Sequence, residues 1–245
     1  MRNKLSLLVL FLVVGTGVSL AEPPTVDTHT AADIQSRLNH SQVPKHGDVQ
    51  VTIEGGVATL TGTVDNLGSK LDAERAAQKT PGVARVVNNI QVRAQGDEAQ
   101  MLRAARHEVV MYYAFGIFDN VEFQANDGTL TVSGQVTQPF KKTDIGRLLE
   151  RVKGVAVLHN NLEVLPVSTF DDRLRLQLAR AIYGDPFFIH YANQAIPPIH
   201  IIVKNGNVTL EGVVANSLDK IKANMAALGC GLSFSVTDNL RIVKG

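Results

Sequence analysis

The sequence predicts an α+β protein made of tandem small αββαβ modules, each a three-stranded mixed sheet covered by two helices. The first observation is a turn-and-strand segment that occurs three times: Gly-Gly-Val-Ala-Thr-Leu-Thr-Gly-Thr-Val at 55–64, Asp-Gly-Thr-Leu-Thr-Val-Ser-Gly-Gln-Val at 127–136, and Asn-Gly-Asn-Val-Thr-Leu-Glu-Gly-Val-Val at 205–214. Each copy holds two glycines six apart (Gly56 and Gly62, Gly128 and Gly134, Gly206 and Gly212), and successive copies are 72 and 78 residues apart. The second observation is a constant distance of 27 residues from the later glycine to an asparagine, Gly62 to Asn89, Gly134 to Asn161 and Gly212 to Asn239. Internal spacing repeated in this way signals tandem units. The third is length, since 245 residues fit two or three modest domains.

In chain order, Arg2 and Lys4 precede an apolar run from Leu5 to Val14, and Ser19-Leu20-Ala21 offers small residues for cleavage before Glu22. Residues 1–21 read as a signal peptide, cleaved or retained as an anchor, and the run falls short of the ~20 residues of a membrane span. The expected location is the bacterial periplasm. Residues 22–30, with Pro23 and Pro24, read as a flexible leader.

Module one is expected at 31–92. Ile34 and Leu38 suggest a short helix that Pro44 ends. Val49, Val51 and Ile53 alternate as a strand, Gly55-Gly56 turns the chain, and Ala58, Leu60, Gly62 and Val64 alternate back as a hairpin. Leu67 to Lys79 is helical up to Pro81-Gly82, and Val86, Asn88, Ile90 and Val92 form strand three.

Module two, at 98–164, repeats the order. Its opening helix is Met101 to Tyr113, its hairpin is Val121, Phe123, Ala125, then Leu130, Val132, Gly134, Val136, and its third strand carries Leu158, Asn160, Leu162 and Val164. Ile145, Leu148, Leu149 and Val152 form one apolar stripe on helix two. Module three, at 171–243, opens with Leu174, Leu178 and Ile182; Ile199, Ile201 and Val203 precede the turn, Ile221, Met225 and Leu228 mark helix two, and Val236, Leu240 and Ile242 mark strand three. The linkers 93–97 and 165–170 span only ~12 to 15 Å, which restricts the angles between modules.

The glycines follow from backbone geometry. Gly56, Gly128 and Gly206 supply the positive φ of a tight hairpin turn. Gly62, Gly134 and Gly212 share a face with inward Leu and Val, where a helix or neighbouring strand approaches closely.

These residues resemble the BON domain, named for bacterial osmotic-shock and nodulation proteins: Asp185-Pro186 after the opening helix, the strand through Asn205 to Val214, a helix, a Gly-Val pair and an Asn before the last strand. The Gly-Val pair stands at 82–83 and 154–155, with Leu232-Ser233 in the third copy, and Asp-Pro occurs in the third copy only. The resemblance implies three αββαβ copies in an envelope protein that binds phospholipid or envelope partners and supports integrity under osmotic stress. It implies no enzymology.

Chemistry is sparse. His107-Glu108 begins a zinc-protease pattern without its second ligand, the histidines are dispersed, and there is no nucleophile elbow, phosphate loop or dinucleotide fingerprint. The reading is no enzyme, no cofactor and no metal. Without residues 1–21 the chain has 22 basic and 23 acidic residues, which argues against nucleic acid as a partner. Cys230 is the one cysteine, so no internal disulfide forms, and a small residue packed at a helix end is its ordinary role.

Two features offer binding. Lys141, Lys142, Arg147, Arg151 and Lys153 on helix two of module two exceed Asp144 and Glu150 by three charges. Such a run is either a solvated face or an anionic-lipid site worth roughly 3 kcal/mol, too weak alone. Tyr112, Tyr113, Phe115 and Phe118, with Tyr183, Phe187, Phe188 and Tyr191, end the opening helices; they fill cores or, where left outside, anchor at a membrane interface or a partner. The leading expectation is a periplasmic binding protein for anionic phospholipid or envelope assemblies. The alternatives are a chaperone that captures outer-membrane clients along sheet edges, and a structural oligomerisation module.

Overall fold

The structure is a computed structural model and describes residues 28–41, 43–93 and 97–243. The expected signal peptide, residues 22–27 of the leader and residues 94–96 of the first linker lie outside the described residues.

Three mixed sheets follow one another along the chain. In the first, β1 (Gly47–Glu54) runs antiparallel to β2 (Val57–Val64), and β3 (Arg85–Asn88) with β4 (Gln91–Val92) runs parallel to β2 on its other side. In the second, β6 (Thr129–Val136) lies between β5 (Asn120–Asn126) and β7 (Val157–Val164). In the third, β9 (Asn207–Val214) lies between β8 (Ile199–Lys204) and β10 (Ser235–Asp238) with β11 (Arg241–Ile242). The hairpin turns are as expected, with positive φ at Gly55 and Gly56, Asp127 and Gly128, Asn205 and Gly206.

Two helices cover each sheet: α1 (Thr28–Asn39) and α3 (Leu67–Gln78), α4 (Glu98–Val110) and α5 (Pro139–Glu150), then α6 (Thr169–Tyr183) and α8 (Ser217–Gly229). Short α2 (Val43–His46) and α7 (Ile189–Ala192) complete the set, α7 following a turn of 3₁₀ helix at Pro186–Phe188. Side chains start the helices. Asn66, Asp97, Ser168 and Asn216 each accept from a backbone N–H three residues on, whereas α5 opens with Pro139, which has no N–H to satisfy. Each module buries its own apolar cluster: Ile34, Leu38, Leu60 and Ala73; Met101, Val132, Ile145 and Leu149; Leu174, Leu178, Leu210 and Ala223.

Four local expectations change. The leader was expected to reach residue 30, but α1 already begins at Thr28. The first helix stops at Asn39, ahead of Pro44, which sits in α2. The opening helix of module two ends at Val110, so Tyr112 and Tyr113 lie beyond it. Third strands in modules one and three are interrupted after Asn88 and Asp238, whereas β7 is continuous, although Asn88, Asn160 and Asp238 Oδ1 all accept from the N–H two residues on. Of the two close approaches expected at Gly62, Gly134 and Gly212, the structure shows that of the neighbouring chain in the sheet. Each has φ between 116° and 119°, and a Cβ would stand 1.9 to 2.1 Å from the carbonyl oxygen of Asp48, Asn120 or Pro198.

On one helix the apolar residues that mark it lie outside. Ile221, Met225 and Leu228 do mark α8, yet they point outward, and the buried side consists of Asp219, Ala223 and Ala227.

Candidate functional site on the second module

In α5, Ile145 and Leu149, continued by Val152 beyond its end, pack onto the second core; of the basic residues expected on this helix, Lys141, Lys142 and Arg147 are in α5, Arg151 caps it and Lys153 lies past its end. They do not form one surface. The Lys141 side chain is 13% exposed and its Nζ donates to Asp119 Oδ2 at 2.7 Å and to Thr137 Oγ1 at 2.9 Å. Asp119 is fully buried and also accepts from Thr137 N and Gly116 N, which makes this pair an internal joint. Lys141 therefore leaves the candidate lipid-facing set.

Lys142 is half-buried, and its carbonyl accepts from Asn160 Nδ2 of β7. Lys153 is exposed, and among the described residues neither Lys142 nor Lys153 makes an ion pair. Arg151 reaches across to Asp72 of α3, at 3.1 Å. Arg147 is 70% exposed and only loosely paired with Asp144, at 3.9 Å.

The aromatic end of α4 meets this helix. Tyr112 is buried and its hydroxyl donates to Asp144 Oδ2 at 2.8 Å; surrounding side chains strip water from the phenol and, with the Asp144 carboxylate, push its pKa upward. The Tyr113 ring stands edge-on to Tyr112, 5.0 Å between centroids, and is 86% exposed beside the exposed Met111 and Val110. Tyr112, Asp144, Arg147, Leu148 and Arg151 line an open depression of about 240 Å³. Residues of the two features that the sequence offered separately thus share one surface.

A larger groove of about 480 Å³ lies where α3 faces α5, with Leu67, Leu71 and Leu158 among its lining and Arg75, Arg147, Glu74 and Glu150 as its charges. The first two modules are fastened there by backbone hydrogen bonds from Leu67 N to Val155 O and from Gly154 N to Asp65 O. The groove's own charges balance, two of each sign, and Asp72 of α3 pairs with Arg151.

The other aromatics have structural places. Phe188 and Tyr191 are in the third core, and Tyr183 donates to Ile199 O. Phe118 packs on the third core, while Phe115 lies 5.6 Å from the His200 ring at the junction of modules two and three. The sequence reading missed His200, whose Nδ1 is buried with no hydrogen-bond partner among the described residues and whose pKa is lowered by burial, against the opposing carbonyls of Asp119 and Gly116. Ile117 O accepts from Ile201 N at the outer edge of β8, and Glu163 to Lys204 and Glu122 to Arg241 are salt bridges across the same junction.

It also missed the double character of α8, although the signal was present: small apolar residues at 223 and 227 and large apolar ones at 218, 221, 225 and 228 make a helix apolar on two faces. Among the described residues, no group of three or more His, Cys, Asp and Glu could hold a metal, and no helix is long and apolar enough to cross a membrane. Burial raises the pKa of the Cys230 thiol, the opposite of an activated nucleophile.

A family model described as BON domain matches residues 26–94, 118–166 and 188–244. Two solved structures of CdsD, a structural protein of the type III secretion system of Chlamydia trachomatis, are similar at 16% identity over 87% of this chain. They are covered over 96% and 92% of their own lengths, with TM-scores of 0.27 and 0.26. No curated protein matches the sequence.

Proposed function

The chain belongs to the BON-domain family, and on that premise we propose that it is a non-catalytic binding protein of the bacterial envelope whose second module docks on anionic phospholipid and supports envelope integrity under osmotic stress. The observation that carries this reading is the depression beside α5, where Tyr112 meets Arg147 and Arg151, with the exposed Tyr113 ring against Tyr112 and the exposed Met111 just before it in the chain. Rings and thioethers at such a position enter the interfacial layer while cations hold headgroup phosphates.

Magnitudes support shared work. Arg147, exposed and only loosely paired, contributes about 1 kcal/mol near an anionic surface. Inserting the two exposed apolar side chains adds about 1 to 2 kcal/mol each, part of full burial. The sum, roughly 3 to 5 kcal/mol, corresponds to a Kd between about 0.2 and 6 mM.

The test is co-sedimentation with vesicles of phosphatidylglycerol and cardiolipin against phosphatidylcholine. The double variant Arg147→Glu, Tyr113→Ala is expected to lose at least about tenfold in affinity for the anionic vesicles; equal binding by variant and parent refutes the reading. Lys141 is unsuitable as a probe because its loss strands Asp119. Capture of clients along sheet edges is the weaker reading, since the outer edge of β8 is already engaged by Ile117.

A further inference from the structure

We propose that α8 is a homodimer seam, pairing antiparallel with α8 of a second copy of this chain. Leu218, Ile221, Met225 and Leu228 are 53 to 65% exposed, and exposed Leu232 continues them past the helix end. Their steps of three, four, three and four residues are those of a coiled-coil seam, the pattern by which one helix packs on another. Such a stripe on an outer face is one that water penalises until a partner covers it.

The repeat identifies this face. Carried back by 78 residues, and then by a further 72, Ile221, Met225 and Leu228 fall on Thr143, Arg147 and Glu150 of α5 and on Leu71, Arg75 and Gln78 of α3. Those six residues line the groove at which modules one and two face each other. The same side of helix two that serves an established helix-facing junction within the chain is left open on module three, and there it is apolar.

The stripe also closes on itself. A two-fold axis passing beside Ala223 sets Leu218 opposite Leu228 and Ile221 opposite Met225 of the partner, so one operation pairs all four residues, as an isologous contact requires. Charge favours a protein partner over an anionic lipid surface. Lys220 donates to Leu240 O at 2.7 Å, and Lys222 lies 4.5 Å over the Phe187 ring, so both cations of α8 are engaged. The seam positions themselves carry no charge that would set two copies against each other. This inference uses module three alone and stands apart from the phospholipid reading, which uses module two.

Sedimentation equilibrium of the whole protein across a concentration series tests it. The parent is expected to approach twice the chain mass as concentration rises, and Met225→Glu is expected to hold the protein at one chain mass. Leu176→Glu, an equally exposed apolar position on α6, is expected to dimerise as the parent does. Circular dichroism of the variants shows that folding is retained, and Ile221→Lys provides an independent disruption of the seam if Met225→Glu does not fold. A parent that stays monomeric throughout, or a dimer that survives both seam substitutions, overturns the proposal. So does a monomeric parent whose vesicle binding is lost in Met225→Glu, which would assign the stripe to lipid.

Discussion

Replacing Gly134 by alanine tests the account of the repeated strand, with Gly128→Ala in the same hairpin as its comparison. Both glycines have positive φ, 72° at Gly128 and 118° at Gly134. At Gly128 an added Cβ meets only ordinary contacts, the nearest being Gly154 O at 3.5 Å, so the cost is the left-handed backbone alone, about 1 kcal/mol. At Gly134 the Cβ stands 2.1 Å from Asn120 O, and β5 must retreat by about 1 Å to restore a normal carbon-to-oxygen separation. Strain of about 1 to 3 kcal/mol and displacement of a paired strand of about 1 to 3 kcal/mol combine to roughly 2 to 6 kcal/mol. That is a large share of what holds a small domain together.

Urea denaturation followed by tyrosine fluorescence reads the difference, because the chain has no tryptophan and its four tyrosines fall between residues 112 and 191, within modules two and three. Gly128→Ala is expected to move the midpoint slightly and Gly134→Ala several times as far. Equal shifts would refute the assignment of the second glycine to the neighbouring carbonyl. The same reasoning makes Gly212→Leu costlier than the roughly 1 to 3 kcal/mol of overpacking alone, since Pro198 O lies 1.9 Å from its Cβ position.

Two further outcomes follow from the buried polar groups. Lys141→Ala removes the cation beside fully buried Asp119 and is expected to cost about 3 kcal/mol, the low end for a broken buried pair, because Thr137 and Gly116 still donate to the carboxylate; thermal unfolding measures it. His200 has its pKa lowered in the folded protein, so the unfolded chain binds more protons, and its contribution is complete above about pH 6.5 and lost as pH falls through the lowered value. His200→Gln is therefore expected to flatten the decline in melting temperature on acidification below that pH, and parallel pH profiles for variant and parent would contradict it.

The hairpins were legible because their turns are a backbone requirement that Gly-Gly, Asp-Gly and Asn-Gly announce directly. The third-strand device was only half legible. The constant spacing pointed to Asn89, Asn161 and Asn239, but the working side chains are one residue earlier: Asn88 and Asn160 bond back to carbonyls of α3 and α5, and Asp238 sits by Lys220. A change from Asn to Asp in the third copy hid that equivalence from a search for identity. Helix faces were the least legible where both sides are apolar. Ala223 and Ala227 win the interior of module three because a small residue lets α8 sit close to the sheet, which spacing of large residues does not reveal. For the binding surface, the sequence supplied the charges but not their partners, since Asp119 and Asp72 are far from α5 in the chain and near it in space.

Three copies of one unit are held here by two unlike joints. Modules one and two meet through α3 and α5 with loop amides between them, whereas modules two and three meet where Ile117 caps the edge of β8 and Phe115 lies against His200. Solenoids gain their stability from nearest-neighbour terms that are the same at every step, which is why their units can be added, deleted or reordered. This chain has no such common step: a duplicate of any module inserted beside it would meet a surface shaped for another. Its copies share an ancestry of fold but hold fixed stations, and the chain has the arithmetic of a single assembled body rather than of an extendable array.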